Sequence, residues 1–418
     1  MCNAQPTSGT CRFRGCKEVP WHGDKDGLCL YHSPQPKDDD TARGIWGKAR
    51  DMAAQGRALF VGWQFPPDPG GRYFASVDFF GEADFRSTVF QLGADFEGAT
   101  LHASVTFEGA RFRRGVPKFD ESVFKGPVTF RWAEFSDASH FHRTVFRSTA
   151  SFERAKFCFA ATFSEAVFEG NADFSHVTFQ TAAYFEQTRF AGEVKLEWAR
   201  IVRDADFQRA TFTHKASFQN VDFEGNVRFQ KALFGGEACF AGTTYKPGRD
   251  ICFDKPGHGR PFRDSAQGEK AYDLAKRAAY GRRDVLNADI YYYWEWKARA
   301  AAKRGEKSLR NRIWGPVVHV LLYLSGTPYR LLVLVAATIA VLGLVFWYFG
   351  SISPAPRQVG TEAGFLECVL FSASTFVGLS YGDWQPQGNW SALACGEALL
   401  GVFLMAWFVV VLARRLLA

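Results

Sequence analysis

Four side chains near the start of the sequence have the types and spacing of a metal site. In "CRFRGCKEVPWHGDKDGLCLYH", Cys11 and Cys16 form one pair, and Cys29 and His32 form a second pair. Three thiolates and one imidazole are a ligand set that holds zinc tetrahedrally. Cys29 and His32 stand three residues apart, so both can face one ion from a single turn. The sequence therefore predicts a structural zinc site within residues 1–40.

Other interpretations of these cysteines stay open. The four-residue gap within the first pair weakens the match to a zinc site, His22 is a rival ligand, and the thiols could be unliganded or redox-active. The segment is too small to fold by apolar burial alone, so a metal would supply much of its stability. We expect no catalytic zinc, because all four ligands come from the protein and no general base is evident nearby. Cys158, Cys239 and Cys252, which lie further along, are expected to be small buried residues.

A second stretch, "STFVGLSYGDW" at 374–384, has the residues of an ordinary turn, but such backbone can also replace the water around a cation. It follows the helical run "EAGFLECVLFSAST" and lies between two apolar segments, 329–350 and 390–413. Each segment is long enough to cross about 30 Å of hydrocarbon. Non-helical backbone at membrane depth is tolerated only where it is buried in protein or lines a water-filled cavity.

This order of span, short helix, glycine-containing segment and span resembles the pore module of the two-span potassium channels. The resemblance implies a pore helix at 362–375 and a selectivity filter at 375–383, whose carbonyl rings replace a cation's hydration shell. One chain supplies a quarter of such a ring, so the resemblance also implies a homotetramer and a permeant monovalent cation, K⁺ being favoured. The filter residues that it implies are Thr375, Gly378, Leu379, Ser380, Tyr381, Gly382 and Asp383.

The filter departs from the family pattern at two positions. Gly378 stands where the family has the Thr whose hydroxyl forms the innermost ion site. Ser380 replaces the first filter glycine, where a positive φ is expected and a non-glycine residue is strained by about 1 kcal/mol. Both changes affect the ion sites. We therefore expect a cation channel, and potassium is the cation that we expect it to favour.

Three further residues are candidates for roles around the filter. Glu367 in the predicted pore helix and Glu397 in the second span are candidates for supporting it, since an acid within a span is functional by default. The alternatives are a solvated or helix-capping carboxylate for Glu367 and a snorkelling or hydrogen-bonded one for Glu397. Gly401 is a candidate gating hinge, with close helix packing as the alternative.

Basic residues indicate how the two spans are oriented. They crowd positions 303–312, before the first span, and 414–415, after the second, whereas the loop 351–389 contains only Arg357. The positive-inside rule then places both termini in the cytosol. The segment 313–328 is too short to span and is predicted to lie at the membrane interface. No signal peptide is visible in the polar first 40 residues.

The sequence contains 42 Phe and 3 Met, which points to a repeat. From Phe85 to Phe240, large apolar residues recur at alternating steps of five and six, usually two positions after a small residue. The step from Phe112 to Phe119 is seven, which predicts a bulge or a loop there. Neither a helix nor a flat strand has this period, but a square-sectioned coil with one inward residue per face does.

The pattern resembles the pentapeptide-repeat family, in the variant with one added residue in every second repeat. The resemblance implies a right-handed quadrilateral β-helix of about seven coils, each of about 22 residues, stabilised between nearest neighbours. Residues 74–245 carry 19 Lys or Arg and 22 Asp or Glu. This near balance argues against DNA mimicry and nucleic-acid binding, and favours a spacer or assembly scaffold, with sensing of a cytosolic ligand or docking of a protein partner as the alternative.

No nucleophile–base constellation or phosphate-binding loop is evident, so we do not expect an enzyme. The whole arrangement resembles bacterial proteins that couple pentapeptide repeats to a carboxyl-terminal ion-channel domain, which implies the inner membrane. We therefore predict a multidomain membrane protein acting as a tetrameric cation channel, with a membrane-tethered, non-conducting scaffold as the alternative. The predicted parts are a zinc-binding knuckle (1–40), a linker (41–73), the β-helix (74–250), a helical linker (251–312), an interfacial helix (313–328) and the pore domain (329–418).

Overall fold

The computed structural model describes residues 10–22, 24–67, 72–253, 262, 268–302, 328–350, 352–354, 363–379 and 384–416. The chain divides into two compact units, Met1–Arg282 with Trp294–Gly305 and Arg283–Tyr293 with Glu306–Ala418. The first unit contains a β-solenoid of about eight turns, and the second contains two apolar helices. These features confirm the predicted fold class of a quadrilateral β-helix joined to a two-span module.

In the described residues, the solenoid consists of 31 two-residue strands in four parallel sheets. The nine-stranded sheet contains Gln64–Phe65, Val89–Phe90, Arg111–Phe112, Glu134–Phe135, Lys156–Phe157, Thr178–Phe179, Arg200–Ile201, Asp222–Phe223 and Thr244–Tyr245. One eight-stranded sheet contains Asp78–Phe79, Thr100–Leu101, Val123–Phe124, Val145–Phe146, Val167–Phe168, Arg189–Phe190, Thr211–Phe212 and Leu233–Phe234. The other contains Ala83–Asp84, Val105–Thr106, Val128–Thr129, Ala150–Ser151, Ala172–Asp173, Val194–Lys195, Ala216–Ser217 and Ala238–Cys239. The six-stranded sheet contains Ser139–His140, Ala161–Thr162, Ala183–Tyr184, Ala205–Asp206, Val227–Arg228 and Ile251–Cys252.

Stacked phenylalanine rings fill the interior of the solenoid. Phe135 pairs in register with Phe157, one coil of 22 residues later. The rings of Phe130 and Phe152 are 4.9 Å apart and within 7° of parallel, a spacing close to that of neighbouring strands. Within a coil, Phe119 meets Phe130 edge to face, with ring centroids 5.4 Å apart. The five- and six-residue steps of the sequence thus place each ring on its equivalent in the next coil.

The turns between faces impose a backbone conformation that the sequence pattern did not reveal. A residue with a left-handed φ recurs every eleven positions, and most of these residues are not glycine. Trp132 has φ +59° and Trp198 has φ +60°, and both side chains are exposed. A non-glycine residue in this region costs about 1–2 kcal/mol, so the stacking of the coils must hold the turns in place.

A helix covers the amino-terminal turns of the solenoid. Helix α1 (Asp39–Ala54) starts where the Asp38 carboxylate accepts a hydrogen bond from the Thr41 backbone N–H at 2.7 Å. On its buried face, the ring of Trp46 lies 4.5 Å from that of Phe65. Without this cover, the first rings of the phenylalanine stack would be exposed to water.

The segment 41–73, predicted as a linker, contains regular secondary structure. Most of α1 lies in this segment, and the first strand, Gln64–Phe65, begins ten residues before the predicted start of the β-helix at residue 74. The five- and six-residue rhythm does not extend to these positions, because α1 supplies part of the packing around the first coil. The predicted loop between Phe112 and Phe119 is present, as no strand occurs between them.

The stacking leads to a prediction for stability. Phe152 is fully buried, and its ring lies 4.9 Å from that of Phe130 and 4.8 Å from that of Phe174. Phe152→Ala should lower the free energy of unfolding of the solenoid by about 3–5 kcal/mol, because it removes transfer energy and leaves a cavity. Denaturant unfolding of the purified protein measures this. Phe159→Ala is the matched control because Phe159 is 53% exposed, and equal losses in the two variants would contradict the stacking argument.

Two helices follow the solenoid, α2 (Glu269–Gly281) and α3 (Val285–Ala302). Within the first unit they are held together by charged side chains. Glu295 is buried and contacts Lys276, and it accepts a hydrogen bond from Arg299 at 2.6 Å. A buried carboxylate with two cationic partners is satisfied, so these ion pairs fix the part of α3 from Trp294 onward against α2.

The second unit contains the apolar helices. Helix α4 (Pro328–Tyr348) and helix α6 (Trp390–Leu416) are long and apolar enough to cross a membrane. Between them lie strand β32 (Ile352–Pro354), helix α5 (Phe365–Phe376) and strand β33 (Trp384–Pro386). Of the predicted interfacial helix, residues 313–327 lie outside the described residues, as do the basic positions 303–312 and Arg357.

Candidate functional site

A short antiparallel ladder closes the segment between the two apolar helices. In β32 and β33, Ile352 pairs with Pro386 and Pro354 pairs with Trp384. The chain that leaves α4 and the chain that enters α6 are therefore held side by side. The chain therefore reaches α5 from, and returns after it to, the same end of the unit, as in a re-entrant loop.

Helix α5 is too short to cross a bilayer and is packed between its longer neighbours. It has 12 residues, against about 20 for a span. The ring of Phe371 meets that of Phe346 on α4 edge to face, 5.3 Å between centroids. Cys368 and Phe371 of α5 join Ala394 of α6 in one buried cluster. A short apolar helix supported in this way is what a pore helix requires.

Two glycines allow this close packing. A Cβ at Gly343 of α4 would lie 2.9 Å from the Cα of Val369, and a Cβ at Gly401 of α6 would lie 1.8 Å from the carbonyl oxygen of Phe376. Both distances are shorter than side chains tolerate, so each helix meets α5 through a bare backbone surface. For Gly401, the structure thus provides the close packing that was the alternative to a hinge.

The carboxyl end of α5 is closed by a glycine in the left-handed region. Gly378 has φ +77°, and its N–H donates to the Thr375 carbonyl at 3.0 Å. The Leu379 N–H donates to the Ser374 carbonyl at 2.8 Å. These two bonds form a Schellman motif, which gives Gly378 a local reason for being glycine.

The structure describes only part of the predicted filter. Thr375, Gly378 and Leu379 lie at the end of α5 as given above. Ser380, Tyr381, Gly382 and Asp383 lie outside the described residues. The assignment of carbonyl rings to this stretch therefore stays a prediction.

The two candidate carboxylates lie in different environments. Glu367 is partly exposed in the first turn of α5, where a negative charge is favourable beside the helix N-terminus. Glu397 is buried on α6, 3% exposed, and its Oε1 contacts the hydroxyl of Ser372 on α5. The charge of Glu367 is thus favourable at the start of α5, and the carboxyl group of Glu397 joins two helices.

The four predicted metal ligands come together in the first unit. The ligand atoms of Cys11, Cys16, Cys29 and His32 all lie within 4.8 Å of one another. The Sγ atoms of Cys16 and Cys29 are 3.7 Å apart, and two thiolates at 2.3 Å from a tetrahedral zinc would be about 3.8 Å apart. His22 is not in this cluster, and its ring contacts Trp21. The arrangement can hold a metal ion.

Neighbouring groups set the chemical form of these ligands. The Nε2–H of His32 donates to the Val61 carbonyl at 3.0 Å, which leaves Nδ1, 3.0 Å from the Cys29 Sγ, as the free ligand atom. Burial lowers the pKa of His32, so the imidazole is neutral at neutral pH. Burial raises the pKa of the Cys29 thiol to about 12, although backbone hydrogen bonds oppose the shift. Such a thiol becomes a thiolate at neutral pH only beside a cation.

The cluster also rests on the first coil of the solenoid. The ring of Phe13 stacks on that of His32, 4.0 Å between centroids, and occupies the space that a side chain at Gly62 would need. A Cβ at Gly62 would lie 2.3 Å from the Phe13 ring. Sequence reasoning missed this contact and the His32 bond to Val61, because the two segments are separated by about thirty residues without a recognisable pattern.

The remaining cysteines of the solenoid differ from the expectation of full burial. Cys158, Cys239 and Cys252 are each only partly buried. Their side chains lie at or beside the outward-facing positions of the strands, and the Sγ of Cys252 donates to the Asp250 carboxylate at 2.8 Å. Interior positions are occupied by phenylalanine and small aliphatic residues, which leaves these cysteines outside the stack.

Two known families match the chain, one in the solenoid and one in the segment that contains the apolar helices. Pentapeptide repeats, in nine copies, match residues 107–156, 152–200 and 201–244, and the ion-channel family matches residues 331–418. No curated protein and no solved structure matches the chain. Neither matched family is enzymatic. The chain is a pentapeptide-repeat protein fused to a carboxyl-terminal, potassium-channel-like ion-channel domain.

Proposed function

We propose that four copies of this chain form a cation channel in which the re-entrant segment between α4 and α6 lines the pathway. The observation that carries the proposal is the pairing of β32 with β33. Because these strands lie before and after α5, their pairing brings the chain back to the point from which it left α4. Non-helical backbone in a membrane is stable only in protein or beside water. The segment 377–383 is therefore best accommodated around a shared, water-filled axis.

The residues assigned to the ion pathway are those of the family resemblance. Carbonyls of Gly378, Leu379, Ser380 and Tyr381 would form rings around K⁺, with Thr375 below them and Gly382 and Asp383 at the outer mouth. The carboxyl end of α5 adds the partial negative charge of a helix terminus, which favours a cation. Potassium is the favoured ion. Gly378 and Ser380 depart from the family pattern, so a difference from the family's selectivity for potassium would arise at these two positions.

The first unit would act as the cytosolic part of a protein of the bacterial inner membrane, with both termini in the cytosol. Zinc is the metal that best fits three thiolates and one imidazole, and it would be held by the four ligands of the cluster. Bound there, zinc would fix the residues that contact Val61 and Gly62 at the first coil. The solenoid and its metal site would thereby serve assembly or gating of the pore.

The alternative function is a membrane-tethered scaffold whose solenoid binds a protein. The exposed indole rings of Trp132 and Trp198 favour it, because each is more than half exposed on a turn of the solenoid. Tryptophan is enriched at the centres of protein interfaces. This function requires neither a tetramer nor a re-entrant segment.

Single-channel recording tests the proposal. Purified protein in a planar bilayer, under opposed potassium and sodium gradients, should give currents that reverse towards the potassium potential. Reversal near zero, with current still abolished by Tyr381→Ala, would mean a non-selective cation pore through the same ring. A correctly assembled tetramer that stays silent under several stimuli would support the scaffold.

A further inference from the structure

The serine at the centre of α5 connects three helices. Its hydroxyl oxygen lies 3.1 Å from the carbonyl oxygen of Ile339 on α4 and contacts the Glu397 Oε1 on α6. Ser372 is fully buried, and Glu397 is 3% exposed. Both partners of Ser372 are oxygens, so the position of each proton decides which bonds exist.

A serine hydroxyl carries one proton and can donate it only once, whereas a carbonyl oxygen can only accept. If Ser372 donates to Ile339, the bond to Glu397 must be donated by Glu397, whose carboxyl group is then protonated and neutral. If Ser372 donates instead to an ionised Glu397, two oxygens without a proton face each other at 3.1 Å. In the first arrangement both hydroxyl protons are donated and no two bare oxygens face each other.

The surroundings of Glu397 favour the neutral form. Among the described residues, its Oε2 has no hydrogen-bond partner and no Lys, Arg or His forms an ion pair with it. Burying an unpaired carboxylate is strongly unfavourable, whereas a carboxylic acid that donates one hydrogen bond is tolerated. The close contacts of α4 and α6 with α5 at Gly343 and Gly401 are with Val369 and Phe376, and they bring no compensating charge.

We propose that Glu397 is a protonated positioning residue of the pore. It donates to Ser372, Ser372 donates to the Ile339 carbonyl, and this pair of hydrogen bonds fastens the pore helix α5 to both spanning helices. The effect on conduction rests on the proposed channel function, but the location of the proton does not.

Infrared spectroscopy of the full chain in lipid vesicles tests the proton without requiring current. The wild type should show the C=O stretch of a protonated carboxyl group, lost in Glu397→Gln and shifted in Ser372→Ala. Glu367→Gln is the matched control, because it removes a carboxyl group from α5 that does not contact Ser372, and it should leave this band unchanged. A carboxylate band that disappears in Glu397→Gln, with no protonated band, would overturn the proposal.

Cation flux into the same vesicles tests the positioning role. Glu397→Ala leaves Ser372 without its partner and should lower flux per tetramer about tenfold, the effect of one lost buried hydrogen bond. Glu397→Gln keeps a donor at this position and should restore most of that flux. Equal flux in wild type and Glu397→Ala would refute the positioning role. A wild type without flux would instead count against the channel, while the infrared result still decides the proton.

Discussion

Replacing Gly401 by alanine is expected to lower cation flux at least tenfold and to weaken the proposed tetramer. The added Cβ would lie 1.8 Å from the Phe376 carbonyl oxygen and 2.7 Å from its carbon, and neither backbone atom can move without displacing α5 or α6. Overpacking of this kind costs about 1–3 kcal/mol, and the end of α5 is where the predicted filter starts. Flux into vesicles and the thermal stability of the tetramer measure the effect.

Gly396→Ala provides the control on the same helix. Among the described residues, no atom outside the neighbouring turns of α6 lies within 4 Å of a Cβ at Gly396, so this substitution should leave both flux and stability close to wild type. The comparison also separates the two roles considered for Gly401. A hinge would change the kinetics of opening with little loss of stability, whereas close packing predicts that stability and flux fall together. Wild-type stability in Gly401→Ala would contradict the packing role.

Removing the metal should unfold the amino-terminal cluster. We expect the purified protein to contain about one zinc per chain, and Cys29→Ser or a strong chelator to reduce this to near zero. Structural zinc supplies on the order of 10 kcal/mol of binding free energy in small domains, far more than the few buried contacts of this segment. Elemental analysis measures the zinc, and limited proteolysis should show new cleavage between Cys11 and His32.

Cys158→Ser is the matched control for this experiment. Cys158 lies in the solenoid, outside the cluster, so its loss should change neither zinc content nor cleavage. A protein without zinc that contains a Cys16–Cys29 disulfide would instead support redox-active cysteines. Because His32 also contacts the first coil through Val61, metal loss should expose the amino-terminal end of the solenoid to protease as well.

Much of this architecture could be predicted from sequence because its patterns are periodic or local. The phenylalanine steps report the solenoid directly, since each coil repeats the same backbone and places one side chain inward per face. The ligands of the metal cluster lie within 22 residues, so their spacing alone restricts how they can meet. The apolar segments revealed the spans because hydrocarbon imposes a minimum length.

What only the tertiary structure decided are the contacts between segments that share no pattern. Helix α1 was predicted as a linker because its buried face packs against the open end of the solenoid, a surface that forms only when the chain folds. The role of Gly401 depends on the carbonyl of Phe376, and that of Glu397 depends on Ser372. Sequence alone determined the repeat, the spans and the ligand set, since each follows from local spacing. The helix that covers the end of the solenoid, the packing of the pore helix and the protonation of a buried acid depend on atoms brought together only by folding.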